Sequence, residues 1–242
     1  MKQAPARVHT RHRVIGQTLV IELEGRKRVL SSAPQGGGLT VASYILNHQV
    51  EAAPLVAGKQ SMTFQEPGRC LRALAARMGI HAPTVGLMTA VPMTQVVTAR
   101  AASDGLWVEC FATVGVTNAI RAGEWPPRGP AGKRTTQPGT INLMLITNGS
   151  LSESAMVGAV QVATEAKSGA LRDHNVLSCQ SGAAATGTGT DAVVIACSLR
   201  GQGPLHVYSG THTVIGALIG RVVSDCVTNG LAKAKAWKES HQ

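Results

Sequence analysis

Aromatic residues are scarce: two Phe, two Tyr and three Trp in 242 residues. Base stacking needs aromatic platforms, so a single-strand nucleic-acid surface has little to be built from. Paired cysteines are also missing. Cys70, Cys110, Cys179, Cys197 and Cys226 are odd in number, widely spaced and form no Cys-x-x-Cys step. That excludes a disulfide framework and a structural zinc cluster, and it implies reduced thiols and a cytoplasmic setting. Cys110, Cys197 and Cys226 lie in apolar surroundings and read as small core residues. No uninterrupted apolar run approaches the roughly 18 residues of a membrane span. Residues 1–13 are basic but contain no apolar stretch of a secretory signal. Acidic side chains are few, 13 against 23 Lys and Arg, for a net charge of +10. The excess reads as a solvated basic surface and tail that also attracts anions. No zinc finger, helix-turn-helix or aromatic–basic interleaving accompanies it, so no nucleic-acid partner is expected.

What the chain does have is apolar and small residues. Hydrophobic residues make up 44% and glycines number 27, enough for a real core with close backbone contacts. Thr18–Leu23 and Arg28–Ser31 read as short strands around Gly25, and Val41–Leu46 as a strand or short helix. Pro67 and Gly79 bracket a helix with Leu71, Leu74, Ala75 and Met78 on one face. Val85–Val91, Val96–Ala101 and Leu106–Val114 follow with short connections, one of them Asp104-Gly105, and predict an antiparallel meander. Residues 121–139 form a loop with Trp125 and four prolines. Such loops cover ligands or run over the surface, and an exposed Trp125 either caps an apolar ligand or pins the loop.

Ile141–Thr147 is a near-continuous apolar strand, and Ser152 can cap a helix from Glu153 to about Asp173. On that helix Met156, Val160, Ala163 and Ala170 share a face, with Lys167 near its centre and Glu165 pointing away. A lysine inside an apolar stripe costs desolvation unless it is paired, snorkels or has a role in function. Gly158 and Gly169 weaken the helix and predict close neighbours. Ala192–Ser198 and His206–Tyr208 read as strands. Thr213 to about Trp237 is a last helix, with Gly216 and Gly220 marking tight packing. The expectation is an α+β fold: a single layered domain over residues 18–242, with an antiparallel-rich sheet and packed helices, behind a basic tail of residues 1–17. A homo-oligomer is compatible with it.

The segment Ala183–Asp191 concentrates backbone freedom, hydroxyls and one carboxylate at the mouth of the Ala192–Cys197 strand. It lacks the Gly-Lys-Ser/Thr ending of a phosphate-binding loop. An ordered set of segments surrounds it: Leu30–Gly38 (LSSAPQGGG), Gly86–Val91 (GLMTAV), Thr113–Gly123 (TVGVTNAIRAG) and Gly139–Thr147 (GTINLMLIT). These continue with Thr164–Lys167 (TEAK), Ala185–Asp191 (ATGTGTD) and Ser209–Gly220 (SGTHTVIGALIG). Together they resemble the adenosylcobinamide amidohydrolase family. The resemblance runs from about Leu30 to Val223, whereas residues 1–28 and the basic Pro-Gly loop are less typical.

The resemblance implies hydrolysis of the amide joining aminopropanol to adenosylcobyric acid in adenosylcobinamide, and in some relatives in adenosylpseudocobalamin, as part of corrinoid salvage. The corrinoid is then the small-molecule partner and substrate, with no permanently bound cofactor expected and the metal requirement open. The alternative is a non-catalytic corrinoid-binding or transport accessory protein. No Asp-x-His-x-x-Gly motif for base-off cobalt ligation occurs.

Amide hydrolysis needs a nucleophile, oxyanion stabilisation and a proton for the leaving amine. Asp191 either orients a base and activates water, or caps a turn. His212, just before the last helix, is the best proton carrier among eight histidines, or an ordinary helix-start residue. Glu165 and Lys167 are two apart and serve different neighbours. Lys167 either stabilises charge at the site or forms a structural ion pair. Asn118, Asn142, Thr186, Thr188, Thr190 and Trp125 are candidate substrate contacts, while the amides and hydroxyls equally suit backbone capping. Thr190, Thr140 and Ser32 are candidate hydroxyl nucleophiles, each needing a base, and Cys179 is a thiol alternative. An N-terminal nucleophile would require the chain to cut itself and release Thr140 or Thr190, a scheme that the Gly139-Thr140 step superficially permits. No metal ligands are assigned, because no His-Glu-x-x-His or compact His/carboxylate cluster is present.

Overall fold

The computed structural model describes residues 8–50, 66–125 and 139–240. The central strands explain the architecture. β8 (Ile141–Thr147) and β11 (Ala192–Cys197) are buried at every position, and they pair in parallel. Near-continuous apolar strands of this kind are covered on both faces. Leu143, Leu145, Val193 and Ile195 face one cluster with Met156, Ala163, Ile219 and Val222 of two helices. Met144, Ile146, Val194 and Ala196 face a second cluster with Ile21, Val29, Ile45 and Leu87.

The eight-stranded sheet runs β4-β3-β2-β11-β8-β6-β5, with β1 also on β2. Its members besides β8 and β11 are β1 (Arg11–Ile15), β2 (Thr18–Ser31), β3 (Gly38–Gln49), β4 (Thr84–Thr89), β5 (Val97–Ser103) and β6 (Leu106–Val114). β2 and β11 separate β3 from β8 along this sheet. Even so, the Asn47 side chain of β3 bonds both Thr113 of β6 and Asn142 of β8. The sheet must therefore fold back on itself. β2 turns the corner: its pairing with β3 shifts register between Glu22 and Lys27, around Gly25 at φ +66°. What reads in sequence as two strands is one bent strand. Its first half pairs with β1 and its second with β11.

Helices cover the outside. α1 (Pro67–Arg77) starts with Pro at its first turn and packs Ala75 with Val20 and Leu46. α2 (Glu153–Asp173) is capped by Ser152, whose Oγ accepts from Ala155 N at 3.1 Å. α3 (Val214–Ser240) packs beside α2. The layers are α1, the β2–β4 half, the β11-β8-β6-β5 half, then α2 and α3. This is the expected α+β class with a mostly antiparallel sheet. Short pairs β7 (Ala119–Ile120) with β10 (Gly187–Thr188), and β9 (Ser150–Leu151) with β12 (Leu205–His206), close the ends.

Two expectations change. β4 does not join the predicted meander: it pairs in parallel with β3 at the edge opposite β5. α1 lies between β3 and β4 in the chain and supplies the crossover that a parallel pair needs. β5 and β6 do form the hairpin, with Asp104 at φ 50° and Gly105 at φ 78° in its turn. Second, residues 11–15 of the basic N-terminal segment form β1. The buried Glu109 carboxylate accepts the His9 and Thr10 amides at 2.6 and 3.0 Å and pairs with Arg100 at 3.1 Å. One helix among the described residues, Val214–Trp237 within α3, is long and apolar enough by composition to cross a membrane, and half of that window is buried inside the fold, as in a core helix. Its polar residues interrupt the apolar run but not the average.

Gly158 faces Ser209 Oγ, and Gly216 lies against the carbonyl oxygens of Ser209 and Gly210, whereas the space beside Gly169 is open. Glu165 and Val157 are exposed, so α2 is covered on one face.

Candidate active site

Where the two sheet halves open, at the starts of β8 and β11 and the end of β4, lies a cavity of about 290 Å³. Ser32, Met88, Asn118, Thr140, Asn142, Thr190 and Asp191 contribute to its wall, with Pro34, Val50 and Pro67 among its apolar lining.

Asp191 is held by four donors. Its Oδ1 accepts from Ile141 N at 2.9 Å and Thr188 Oγ1 at 2.5 Å. Its Oδ2 accepts from Thr188 N at 3.0 Å and Lys167 Nζ at 2.5 Å. Lys167 and Asp191 side chains are 8% and 12% exposed, so the ion pair is largely desolvated. Only a residue without a side chain fits over it: a Cβ on Gly187 would overlap Asp191 Oδ2 and come within 2.8 Å of Lys167 Nζ. The apolar-stripe position of Lys167 is thus explained by its partner, which the Gly-Thr segment delivers from 24 residues away.

Two hydroxyls meet beside this carboxylate. Thr140 Oγ1 and Thr190 Oγ1 are 2.6 Å apart, and Thr190 Oγ1 donates to the Gly139 carbonyl at 3.2 Å. Ser32 Oγ, also on the wall, accepts from Val193 N at 3.1 Å. Amides also contribute to the wall. Asn142 Nδ2 donates to Met88 O and to Asn47 Oδ1, both at 2.9 Å, and Asn47 Nδ2 donates to Thr113 Oγ1 at 3.0 Å. Both acceptors fix the Asn142 amide with its oxygen free. Asn142 Oδ1 and Asn118 Oδ1 are buried without a hydrogen-bond partner among the described residues.

The residues singled out in sequence are divided by the fold. Asp191, Thr190, Asn118 and Asn142 line the cavity. Lys167 stands behind Asp191, and Thr188 belongs to the same carboxylate cage. Thr186 caps the Ala122 amide at 2.9 Å. Trp125 is 75% exposed, and its carbonyl accepts from Gln180 Nε2 at 2.7 Å. The expected cover over residues 126–138 lies outside the described residues. Glu165 is exposed on α2 and accepts from Gln161 Nε2 at 3.0 Å.

His212 is exposed and sits at the far end of the sheet. It follows Ser209, whose Oγ donates to Ala155 O in the first turn of α2. Lys167 lies about 18 Å further along that helix at 1.5 Å per residue. The structure therefore does not bring Glu165 or His212 to the cavity. Cys179 is exposed and donates to Thr117 O. Among the described residues no three His, Cys, Asp or Glu gather as a metal site.

Asn47 and Thr113 escaped sequence reasoning. Asn47 lies two residues after buried Ile45 on β3, and strand alternation places both on the inward face. A polar residue at an inward position was the available signal.

A desolvated carboxylate–ammonium pair, coupled hydroxyls and unsatisfied amide oxygens around one cavity suit a hydrolase that handles amides. Comparison with known proteins agrees. The family model of adenosylcobinamide amidohydrolase matches residues 2–239. A protein of Methanosarcina mazei named adenosylcobinamide amidohydrolase is 31% identical over 226 residues, covering 89% of this chain and 94% of its own length. An uncharacterized protein of Methanocaldococcus jannaschii is 29% identical over 232 residues, 90% of this chain and 86% of its own. A Halobacterium salinarum protein, also named adenosylcobinamide amidohydrolase, is 35% identical over 126 residues, about half of each chain. The chain belongs to the adenosylcobinamide amidohydrolase family and is a hydrolase.

Proposed function

We propose that the protein cleaves the amide joining the 1-aminopropan-2-ol arm to adenosylcobyric acid in adenosylcobinamide, and the matching amide of adenosylpseudocobalamin. The products are adenosylcobyric acid and 1-aminopropan-2-ol, and the role is corrinoid salvage in the cytoplasm. The observation that carries the reading is the pair of buried amide oxygens, Asn118 Oδ1 and Asn142 Oδ1, without a partner among the described residues and belonging to two residues that line one cavity. Each unmade bond costs about 1–3 kcal/mol. A substrate amide N–H offsets that cost, and the arm amide and the peripheral carboxamides of a corrinoid are such donors.

Size sets the pose. A cavity of about 290 Å³ admits the arm and its amide but not the macrocycle, which rests outside against Pro34, Val50 and Pro67. Thr140 and Thr190 supply a hydroxyl nucleophile and a proton relay beside the bound amide. Thr190, a donor, also serves the oxyanion. Asp191 already accepts four hydrogen bonds, two on each oxygen. It acts as the fixed post that holds the β8 start and the Gly-Thr segment in place, with Lys167 as its counter-charge. Both are positioning residues on this reading.

The test incubates purified protein with adenosylcobinamide, with and without a chelator, and follows products by mass. Release of aminopropanol and adenosylcobyric acid is expected. Binding with intact substrate would instead favour a corrinoid-binding or transport role.

A further inference from the structure

A threonine hydroxyl attacks an amide only when a base takes its proton. The described residues lining the cavity include no histidine, lysine, cysteine or glutamate. Their one carboxylate, Asp191, has its lone pairs engaged. Among the described residues, the site as folded from the intact chain thus holds a nucleophile without a base.

The same hydroxyls surround one peptide bond of the chain itself. Thr190 Oγ1 contacts both the Thr140 hydroxyl at 2.6 Å and the carbonyl oxygen of Gly139, the residue before it, at 3.2 Å. With Thr190 donating to that carbonyl, Thr140 must donate to Thr190, so the Thr140 proton has a path to the Gly139 oxygen. The Gly139 backbone is tightly seated: a Cβ there would overlap Asn118 Oδ1 and lie 2.9 Å from Gly115 O and Thr117 N. Only glycine fits.

We infer that the chain cuts itself between Gly139 and Thr140 and that the freed Thr140 α-amine is the missing base. This deepens the proposed amide hydrolysis and rests on it for the use made of the new N-terminus. In the first step Thr140 Oγ bonds to the Gly139 carbonyl carbon. Its proton passes to Thr190 Oγ while the Thr190 proton moves to the carbonyl oxygen. The tetrahedral adduct then breaks its C–N bond, and the hydroxyl proton goes to the Thr140 nitrogen, leaving an ester and a free amine. One water hydrolyses the ester to the Gly139 carboxylate and the Thr140 hydroxyl. The net change is one peptide bond hydrolysed by one water. The new amine lies next to Ile141 N, which Asp191 holds. In turnover it takes the proton from its own hydroxyl, directly or through water, as N-terminal threonine nucleophiles do.

The experiment measures the intact mass of the purified full-length protein under denaturing conditions, sequences its N-termini and assays adenosylcobinamide turnover in parallel. Two chains, 1–139 and 140–242, are expected, the second starting at Thr140. T140S keeps cleavage. T140A stays one chain and loses turnover by at least about 100-fold, with a melting temperature showing that it folds. T190V accumulates uncut chain, slowing maturation about 10-fold or more, which keeps the test open if T140A misfolds. A wild-type chain that stays whole, active or not, overturns self-cleavage, as does cutting of folded T140A at the same bond. A cut protein that leaves adenosylcobinamide intact upholds self-cleavage and sinks the substrate reading alone.

Discussion

Asn47 holds Asn142 across the two halves of the folded sheet: Asn142 Nδ2 donates to Asn47 Oδ1 at 2.9 Å, although β2 and β11 separate their strands along the sheet. The pair ties the fold's closure to the cavity wall, because it orients the amide of Asn142, a residue that lines the cavity. N47L therefore leaves Thr113 Oγ1 and one Asn142 N–H unpaired. A stability loss of about 1–3 kcal/mol is expected, with a rise in KM for adenosylcobinamide larger than the fall in kcat. Chemical denaturation and steady-state kinetics check both, and an unchanged KM would show Asn47 to be structural only.

Lys167 and Asp191 form a largely buried ion pair. K167M leaves a desolvated carboxylate with three remaining donors, and removal of one partner from such a pair costs about 3–5 kcal/mol. The variant should melt at lower temperature and lose most activity. If it is more stable and fully active, the lysine is only a buried polar cost.

Gly187 has no room for a methyl group, since its Cβ would meet Asp191 Oδ2 and Lys167 Nζ. G187A should cost about 1–3 kcal/mol through overpacking and reduce turnover by displacing the pair. Gly169, with open space beside it, serves as the control: G169A should be neutral or slightly stabilising in α2.

His212 and Glu165 are exposed and away from the cavity. H212A and E165Q should fold and turn over within about two-fold of wild type, surface changes being energetically small. A hundred-fold loss in H212A with intact folding would restore it as the proton carrier.

His48 sets an acid limit on stability. Its Nδ1 lies 2.9 Å from Thr18 Oγ1. Desolvation is the main cause lowering its pKa below the usual 6.5, opposed by a backbone bond with Gln17 and assisted by Arg77. The unfolded chain then takes up the proton first as pH falls. The contribution is complete above pH 6.5 and is lost as pH drops toward the lowered folded value. Melting curves from pH 8 to 5 should show this loss, and H48Q should flatten that part of the profile.

Much of the fold is local and was legible. The continuous apolar runs of β8 and β11, the Ser152 cap and the Asp104-Gly105 turn announce themselves because hydrophobic periodicity, capping and positive φ are properties of neighbouring residues. Strand partnership is not local. β4 reads as a neighbour of β5, yet the α1 crossover sends it to the opposite edge. Similarly, the segment before β2 reads as a charged tail. The buried Glu109 carboxylate that anchors it is about a hundred residues away.

The site divides in the same way. Lys167 stands out in sequence as a cation in an apolar stripe, and Asp191 as a lone carboxylate in a Gly-Thr run. That they meet at 2.5 Å, and that His212 lies at the other end of the sheet, depends on how helix and strand pack. By itself the sequence determined which residues are chemically out of place, because that is a matter of polarity against periodicity. Only the tertiary structure decided which of them share a cavity. Bringing Thr140 to Thr190, and Asn47 to Asn142, requires a sheet that bends back on itself, and that closure is set by contacts distant in the chain.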